Sequence, residues 1–279
     1  MPENDPEKRD YQLLDSGRGR ILERVGDFIN SRSCSSAWWR RKLPDAQWRQ
    51  AGDIKQAVRE PQAIQIGSLR FILSPETSLR ALAPELNDFY EEVRSWCTAF
   101  ADKQRMPARV LNLFGASAGF TLAATLGGAA ATYVDASAEA LRLARQHAAA
   151  SATTGRDIRW VVDDPMKFVR REQARGARYE MILMDLPKSA DARRRGGFDL
   201  ERELGSLLAA ASGVLSEKAT ALLICYRHGN VSPTTLLHLL RQEFSIFGGG
   251  CDAGEILLRG GDGVLHVPSG VFARWRKME

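Results

Sequence analysis

Beyond residue 105, short apolar runs alternate with amphipathic stretches. Val110–Phe114, Thr132–Val134, Ile158–Val162, Tyr179–Met184 and Ala219–Tyr226 are too short for buried helices and read as buried parallel strands. Between and after them, Gly119–Leu126, Ala138–Ser151, Pro165–Ala174, Arg202–Leu215 and Pro233–Phe244 read as helices. Leu141, Ala144, Ala148 and Ser151 line one face of the second of these. Asp164 before Pro165, and Ser232 before Pro233, place a capping side chain ahead of a proline at the first helical position. The chain closes differently. Glu255–Leu258 and Val264–Trp275 flank Gly260, Gly261 and Gly263, a hairpin signal. Five strand–helix units closed by an antiparallel pair predict an α/β fold, a Rossmann-like seven-stranded sheet.

The preceding part has a different rhythm and predicts a small N-terminal β-rich module. Tyr11–Asp15 and Arg20–Asn30 flank the turn residues Ser16-Gly17-Arg18-Gly19, which predicts a β-hairpin. Ala63–Ile66 and Leu69–Leu73 flank Gly67-Ser68, a second hairpin. Ser74–Ala83 is irregular. Pro84 then starts a helix with Phe89, Val93, Trp96 and Phe100 on one face. Lys103–Pro107 reads as a linker. The expected organisation is a disordered tail over 1–10, a module with its linking helix over 11–105, and the α/β domain over 106–279. Between the hairpins, Trp38, Trp39 and Trp48 alternate with Arg32, Arg40, Arg41, Lys42 and Arg49. Such a stretch can be a stacking and phosphate surface for nucleic acid. It can also be tryptophans packed against the main domain with arginines at the rim, which is the favoured reading.

Composition narrows the class. At 44% hydrophobic and 26% charged residues this is an ordinary globular chain. No apolar run approaches the roughly 18 residues that span a bilayer, so no membrane partner is expected. Residues 1–10 are polar, unlike a signal peptide. Cys34, Cys97, Cys225 and Cys251 are scattered without a CxxC pair, which fits a reducing cytoplasm and predicts no metal site. A net charge of +5 permits a nucleic-acid partner without demanding one.

Candidate chemistry gathers at Val110–Ala124. The strand ends at Phe114; Gly115, Ala116, Ser117, Ala118 and Gly119 are all small; a helix follows. Such a turn lets a ligand approach the backbone, and the helix start offers unpaired N–H groups. Asp135 ends the next strand, 20 positions after Gly115, where an α/β nucleotide site keeps the carboxylate that accepts from ribose hydroxyls. Gly115-x-x-x-Gly119 lacks the GxGxxG spacing, which speaks against a nicotinamide-dependent oxidoreductase.

Asn112-Leu-Phe-Gly-Ala-Ser-Ala-Gly-Phe-Thr121, Val134-Asp-Ala-Ser137 and Ile182-Leu-Met-Asp-Leu-Pro-Lys188 resemble motifs I, II and IV of class I S-adenosylmethionine-dependent methyltransferases. The resemblance is closest to the group that methylates large-subunit ribosomal RNA, including cytosine-C5 enzymes. Tyr11-Gln-Leu-Leu-Asp-Ser-Gly17 with Gly19-Arg-Ile-Leu-Glu-Arg24 resembles the β-module before the catalytic domain in a bacterial branch of that group. The likeness covers nearly the whole chain after residue 10. It leaves no room for the extra N-terminal RNA-binding (PUA) module of the longer enzymes.

The resemblance implies a cofactor, S-adenosyl-L-methionine, an RNA acceptor, ribosomal RNA first, and the following roles. The turn from Phe114 and Gly115 through Ser117 to Gly119 passes under the methionine part. Asp135 holds the ribose hydroxyls and Ala136 lies against adenine. Asp163 or Asp164 sits near the adenine amino group with Pro165, although Asp164 equally reads as a helix cap. Asp185 and Pro187 face the methyl group and the target base.

The chain also departs from the family. Thr-Gly-Gly is here Ser117-Ala118-Gly119, Asp-Pro-Pro is Asp185-Leu186-Pro187, and Phe-Pro-Glu-Gln is Ala83-Pro84-Glu85-Leu86. Cytosine-C5 enzymes use a thiolate; their cysteine aligns near Arg227, and Cys225 lies two positions earlier, by default an inert core residue. His228 is a weak candidate base. Arg193-Arg-Arg195 reads equally as a phosphate grip or a solvated loop. The expected function is methyl transfer from S-adenosylmethionine to RNA. The alternative is a degenerate relative that binds cofactor or RNA without transfer.

Overall fold

A computed structural model describes residues 11–52, 58–75, 82–153, 155–188, 198–229, 231–260 and 265–277. The N-terminal part begins with a three-stranded antiparallel sheet of β1 (Tyr11–Gly17), β2 (Arg20–Val25) and β3 (Phe28–Ser33). The stretch Arg20–Asn30, expected as one strand, is therefore two. Gly26 takes φ +58°, a left-handed value open to glycine, and turns the chain between them. A short helix, α1 (Asp45–Trp48), precedes the hairpin of β4 (Gln62–Ile66) and β5 (Leu69–Leu73). A 3₁₀ turn over Pro84–Leu86 leads into α2 (Asn87–Gln104).

The sheet that follows contains β6 (Arg109–Leu113), β7 (Ala130–Asp135), β8 (Ile158–Val162), β9 (Met181–Leu186), β10 (Ala221–Tyr226), β11 (Gly250–Arg259) and β12 (His266–Arg276). Its seven strands lie in the order β11-β12-β10-β9-β6-β7-β8. The first five in sequence are parallel; β12 is inserted antiparallel between β10 and β11. The connecting helices are α3 (Gly119–Leu126), α4 (Ala138–Ala150), α5 (Pro165–Ala174), α6 (Leu200–Ser212) and α7 (Pro233–Phe244). The strand expected over Tyr179–Met184 runs instead over Met181–Leu186, so Asp185 lies within the strand, near its end. The expected turn at Gly261 and Gly263, the tail over 1–10 and the Arg193–Arg195 loop lie outside the described residues.

Side chains alternate along the central strands, so the sheet buries a core on each face. Val110, Met181, Leu183, Leu223 and Cys225 pack with α2, α3, α4 and the β4–β5 hairpin. Leu111, Leu113, Ile182, Met184, Leu222 and Ile224 pack with α5, α6 and α7. The first core runs across residue 105: Ile64 and Phe71 of the hairpin, Tyr90 and Val93 of α2, and Val110 of β6 belong to it together. The chain reverses its winding between β6 and β9, opening a crevice beyond their C-terminal ends, where sheets of this kind bind ligands.

Candidate active site

The turn after β6 is held by groups around it. Phe114, Ala116 and Ala118 adopt φ values of 54°, 43° and 66°, left-handed conformations that non-glycine residues rarely take. The Tyr133 hydroxyl donates to the Ala116 carbonyl at 2.9 Å. A Cβ on Gly115 would lie 2.2 Å from the Tyr133 ring, and one on Gly119 would lie 2.4 Å from the Tyr90 ring. Both glycines are thus required by aromatic side chains pressed against the turn. Beneath it, Thr121 donates to Asn112 Oδ1 at 2.8 Å, and Asn112 Nδ2 donates to the Leu183 carbonyl, locking β6, α3 and β9 together.

His147 of α4 completes this support. It is fully buried, with Nδ1 at 2.8 Å from the Ser117 carbonyl and Nε2 at 3.4 Å from the Ile72 carbonyl. A neutral imidazole donates through one nitrogen only, and the shorter contact is to the turn. Burial lowers its pKa below the ordinary 6.5, against the opposing effect of the two carbonyls. On acidification the unfolded chain takes up this proton first. Stability present above pH 6.5 is therefore lost as pH falls toward the folded-state value. The melting temperature of the wild type should fall further between about pH 7 and about pH 5.5 than that of His147→Gln. Equal slopes in a thermal-melt series would contradict this role.

Asp135 stands half-buried at the end of β7. Its carboxylate accepts from the Ala116 N–H at 3.0 Å and the Ser137 N–H at 2.8 Å. Burial pushes its carboxyl above the ordinary range, against those two N–H bonds. A carboxylate has about four lone-pair positions, so two remain for a ligand. Ala136 beside it is exposed. At the end of β8, Asp163 accepts from the Asp164 N–H and pairs with Arg171. Asp164 caps α5 through the Lys167 N–H at 2.8 Å, and Pro165 is buried at the first helical position. Phe114, Gly115, Ser117, Gly119, Asp135, Ala136, Asp163, Asp164 and Pro165 thus all lie at the C-terminal ends of β6, β7 and β8.

Asp185 lies near the end of β9, next to β6, and Pro187 follows that strand; Arg227 is the partner of Asp185. Asp185 is 7% exposed and accepts from Arg227 Nε at 3.1 Å and from Nη2 at 2.8 Å, a bidentate pair. Arg227 Nη1 also donates to Glu85 Oε1 at 3.0 Å. Burial opposes the guanidinium charge, but Asp185 and Glu85 outweigh it and hold Arg227 protonated. Both carboxylate oxygens of Asp185 are therefore engaged by Arg227. Glu85 Oε2 lies 4.0 Å from Arg32, which pairs with Glu23 at 3.1 Å, so the charge network reaches into the N-terminal sheet. The signal was a charged residue following the unbroken apolar run Ala221–Tyr226. Cys225, opposite Asp185 in the ladder, is fully buried; burial first and Asp185 second push its thiol well above the ordinary value. It is an inert core residue.

No protein-family model matches the chain. A search of solved structures finds a SAM-dependent methyltransferase from Agrobacterium tumefaciens, 30% identical, superposing with a TM-score of 0.86 over 96% of this chain and 91% of the other. The chain belongs to the S-adenosylmethionine-dependent methyltransferases. A Streptococcus mutans structure assigned to the same type, 17% identical, shares the fold with a TM-score of 0.71 over 95% of this chain and 74% of the other. Among curated proteins, the ribosomal RNA large subunit methyltransferase I of Klebsiella pneumoniae is 38% identical over 81 residues, which is 29% of this methyltransferase. The match spans only about a fifth, 20%, of that relative's length. These findings favour an enzyme over the degenerate alternative. No helix among the described residues of this methyltransferase is long and apolar enough to cross a membrane.

Proposed function

We propose that this methyltransferase passes a methyl group from S-adenosylmethionine to RNA, with ribosomal RNA as the acceptor class. The observation that carries the cofactor site is the Asp135 carboxylate at the end of β7, hydrogen-bonded to the small-residue turn and still holding acceptor positions. In this reading those positions take the ribose hydroxyls. The turn through Phe114, Gly115, Ser117 and Gly119 passes under the methionine part. Ala136 lies against adenine, and Asp163, Asp164 and Pro165 border it. The bound cofactor supplies a methyl group already activated on its sulfonium. The protein's own contribution is alignment: Pro187 and the Arg227-clamped Asp185 shape the place where the acceptor meets that methyl. The RNA part is supported by the curated relatives' name, and such an acceptor belongs in the cytoplasm.

The acceptor atom in this proposal carries its own lone pair. Pyrimidine-C5 transfer needs a thiolate to attack the ring first. By the resemblance the family's cysteine aligns near Arg227, and Cys225, two positions earlier, is fully buried. Cys34 hydrogen-bonds to Ser36 in the N-terminal module. The double variant Cys34→Ala/Cys225→Ala should therefore keep methyl transfer within about threefold of wild type, since neither thiol takes part in the bond-making. A loss of about 100-fold or more would point to thiolate chemistry instead. The overall reading is tested with methyl-tritiated S-adenosylmethionine and ribosomal RNA lacking its own modifications. Label in the RNA is the expected result, and label that reaches no RNA contradicts it.

A further inference from the structure

A groove of about 450 Å³ lies between the N-terminal module and the end of β10. Arg32 and Trp38 line it from the module, Arg227, His228 and Ser269 from the sheet, and Glu85 from the 3₁₀ turn. Three features of this region do not follow from packing. Trp48 is buried and donates to Asp15, and the Trp39 indole donates to Ser16, so those two rings serve the module's own structure. Trp38 does not: 87% of it is exposed. Its indole N–H donates to the Ser35 carbonyl, which orients the ring while leaving its surface open. An oriented, exposed indole is a ready stacking platform.

Glu85 supplies the second feature. It is 7% exposed, and its Oε2 is buried without a hydrogen-bond partner; Arg32, 4.0 Å away, is beyond hydrogen-bond reach. A buried acceptor without a donor is costly, and a donor brought by a ligand would relieve that cost. The third feature, charge, lies outside the groove's own lining, on the module that carries Trp38. Arg18, Arg40, Lys42 and Arg49 are exposed on the same module, and the Arg18 N–H bonds to the Trp39 carbonyl beside Trp38. Such a field attracts a phosphate backbone and repels a cationic peptide.

We propose that this groove receives one unpaired nucleotide of the acceptor RNA, its base stacked on Trp38 and a base amino group donating to Glu85 Oε2. The inference rests on the RNA reading above and adds how the strand is held. Arg227 both lines the groove and pairs with Asp185, so the groove and the end of β9 share that side chain. The N-terminal module becomes part of the acceptor site.

The test is fluorescence anisotropy with labelled single-stranded octamers of cytidine and of uridine. Trp38→Ala should weaken cytidine-octamer binding by about 5- to 150-fold, the range found for losing one stacked base. Trp38→Phe should restore most of it, and S-adenosylmethionine affinity should be unchanged in both. Wild-type protein should prefer cytidine over uridine, which has a carbonyl where cytidine has its amine. Equal binding by Trp38→Ala, equal affinity for the two octamers, or tighter binding of an arginine-rich peptide would overturn the proposal. If the wild type methylates RNA and Trp38→Ala does so equally well, the groove assignment alone fails. If the wild type neither binds nor methylates RNA, the RNA reading fails with it.

Discussion

Replacing Arg227 with methionine should destabilise the protein by about 3–5 kcal/mol, the range for breaking a buried ion pair from one side. It should also lower methyl transfer by about 100-fold or more, as expected when a reacting group is misplaced by about an ångström. Methionine keeps much of the side chain's length, so the change is mainly in charge. The guanidinium is nearly buried and holds Asp185 with two bonds and Glu85 with one. Without it, two buried carboxylates are left next to each other with no cation between them. Arg227→Lys should be intermediate, because an ammonium keeps the charge but cannot make the bidentate contact. Chemical denaturation and the tritium-transfer assay read the two effects separately. Unchanged stability in Arg227→Met would mean that Asp185 and Glu85 are compensated elsewhere, and the clamp at the end of β9 would lose its basis.

Asp135→Ala should weaken S-adenosylmethionine binding by about 10- to 150-fold, the equivalent of losing hydrogen bonds to a charged acceptor. It acts in two ways. The ribose loses its acceptor, and the Ala116 N–H loses the bond that ties the turn to β7. Asp135→Asn should fall between, since an amide can accept one of the two backbone N–H bonds but presents an N–H to the other. Isothermal titration measures the affinity, and a circular dichroism spectrum like that of wild type shows that the fold persists. Wild-type affinity in Asp135→Ala would remove the cofactor from the end of β7.

The α/β architecture was legible because its strands are short apolar runs separated by capped helices. Ser232 and Asp164 cap their helices as their place before a proline suggests. The strand begins at Met181, two residues after Tyr179, and an apolar run shows no boundary of its own. Arg20–Asn30 reads as one strand because Gly26 can either continue a strand or turn it, and only the pairing of β2 with β3 decides. The turn at Gly115–Gly119 and the strand-end acids Asp135, Asp163 and Asp185 were visible as local patterns. Their supports were not. Arg227 lies 42 positions from Asp185 and 142 from Glu85, and such a contact leaves no periodic trace. His147 sits one position before Ala148 on an apolar helix face, where its two carbonyl partners come from other elements. The tryptophan stretch split in a way composition could not foresee: Trp48 is core, and Trp38 is surface.

The most direct test of the central claim is a crystal structure of the protein with S-adenosylhomocysteine. The account predicts the ribose hydroxyls on the Asp135 carboxylate, the amino-acid end along the turn from Phe114 to Gly119, and the sulfur toward Asp185 and Pro187. Density for the ligand anywhere else, or a ribose that does not touch Asp135, would contradict it.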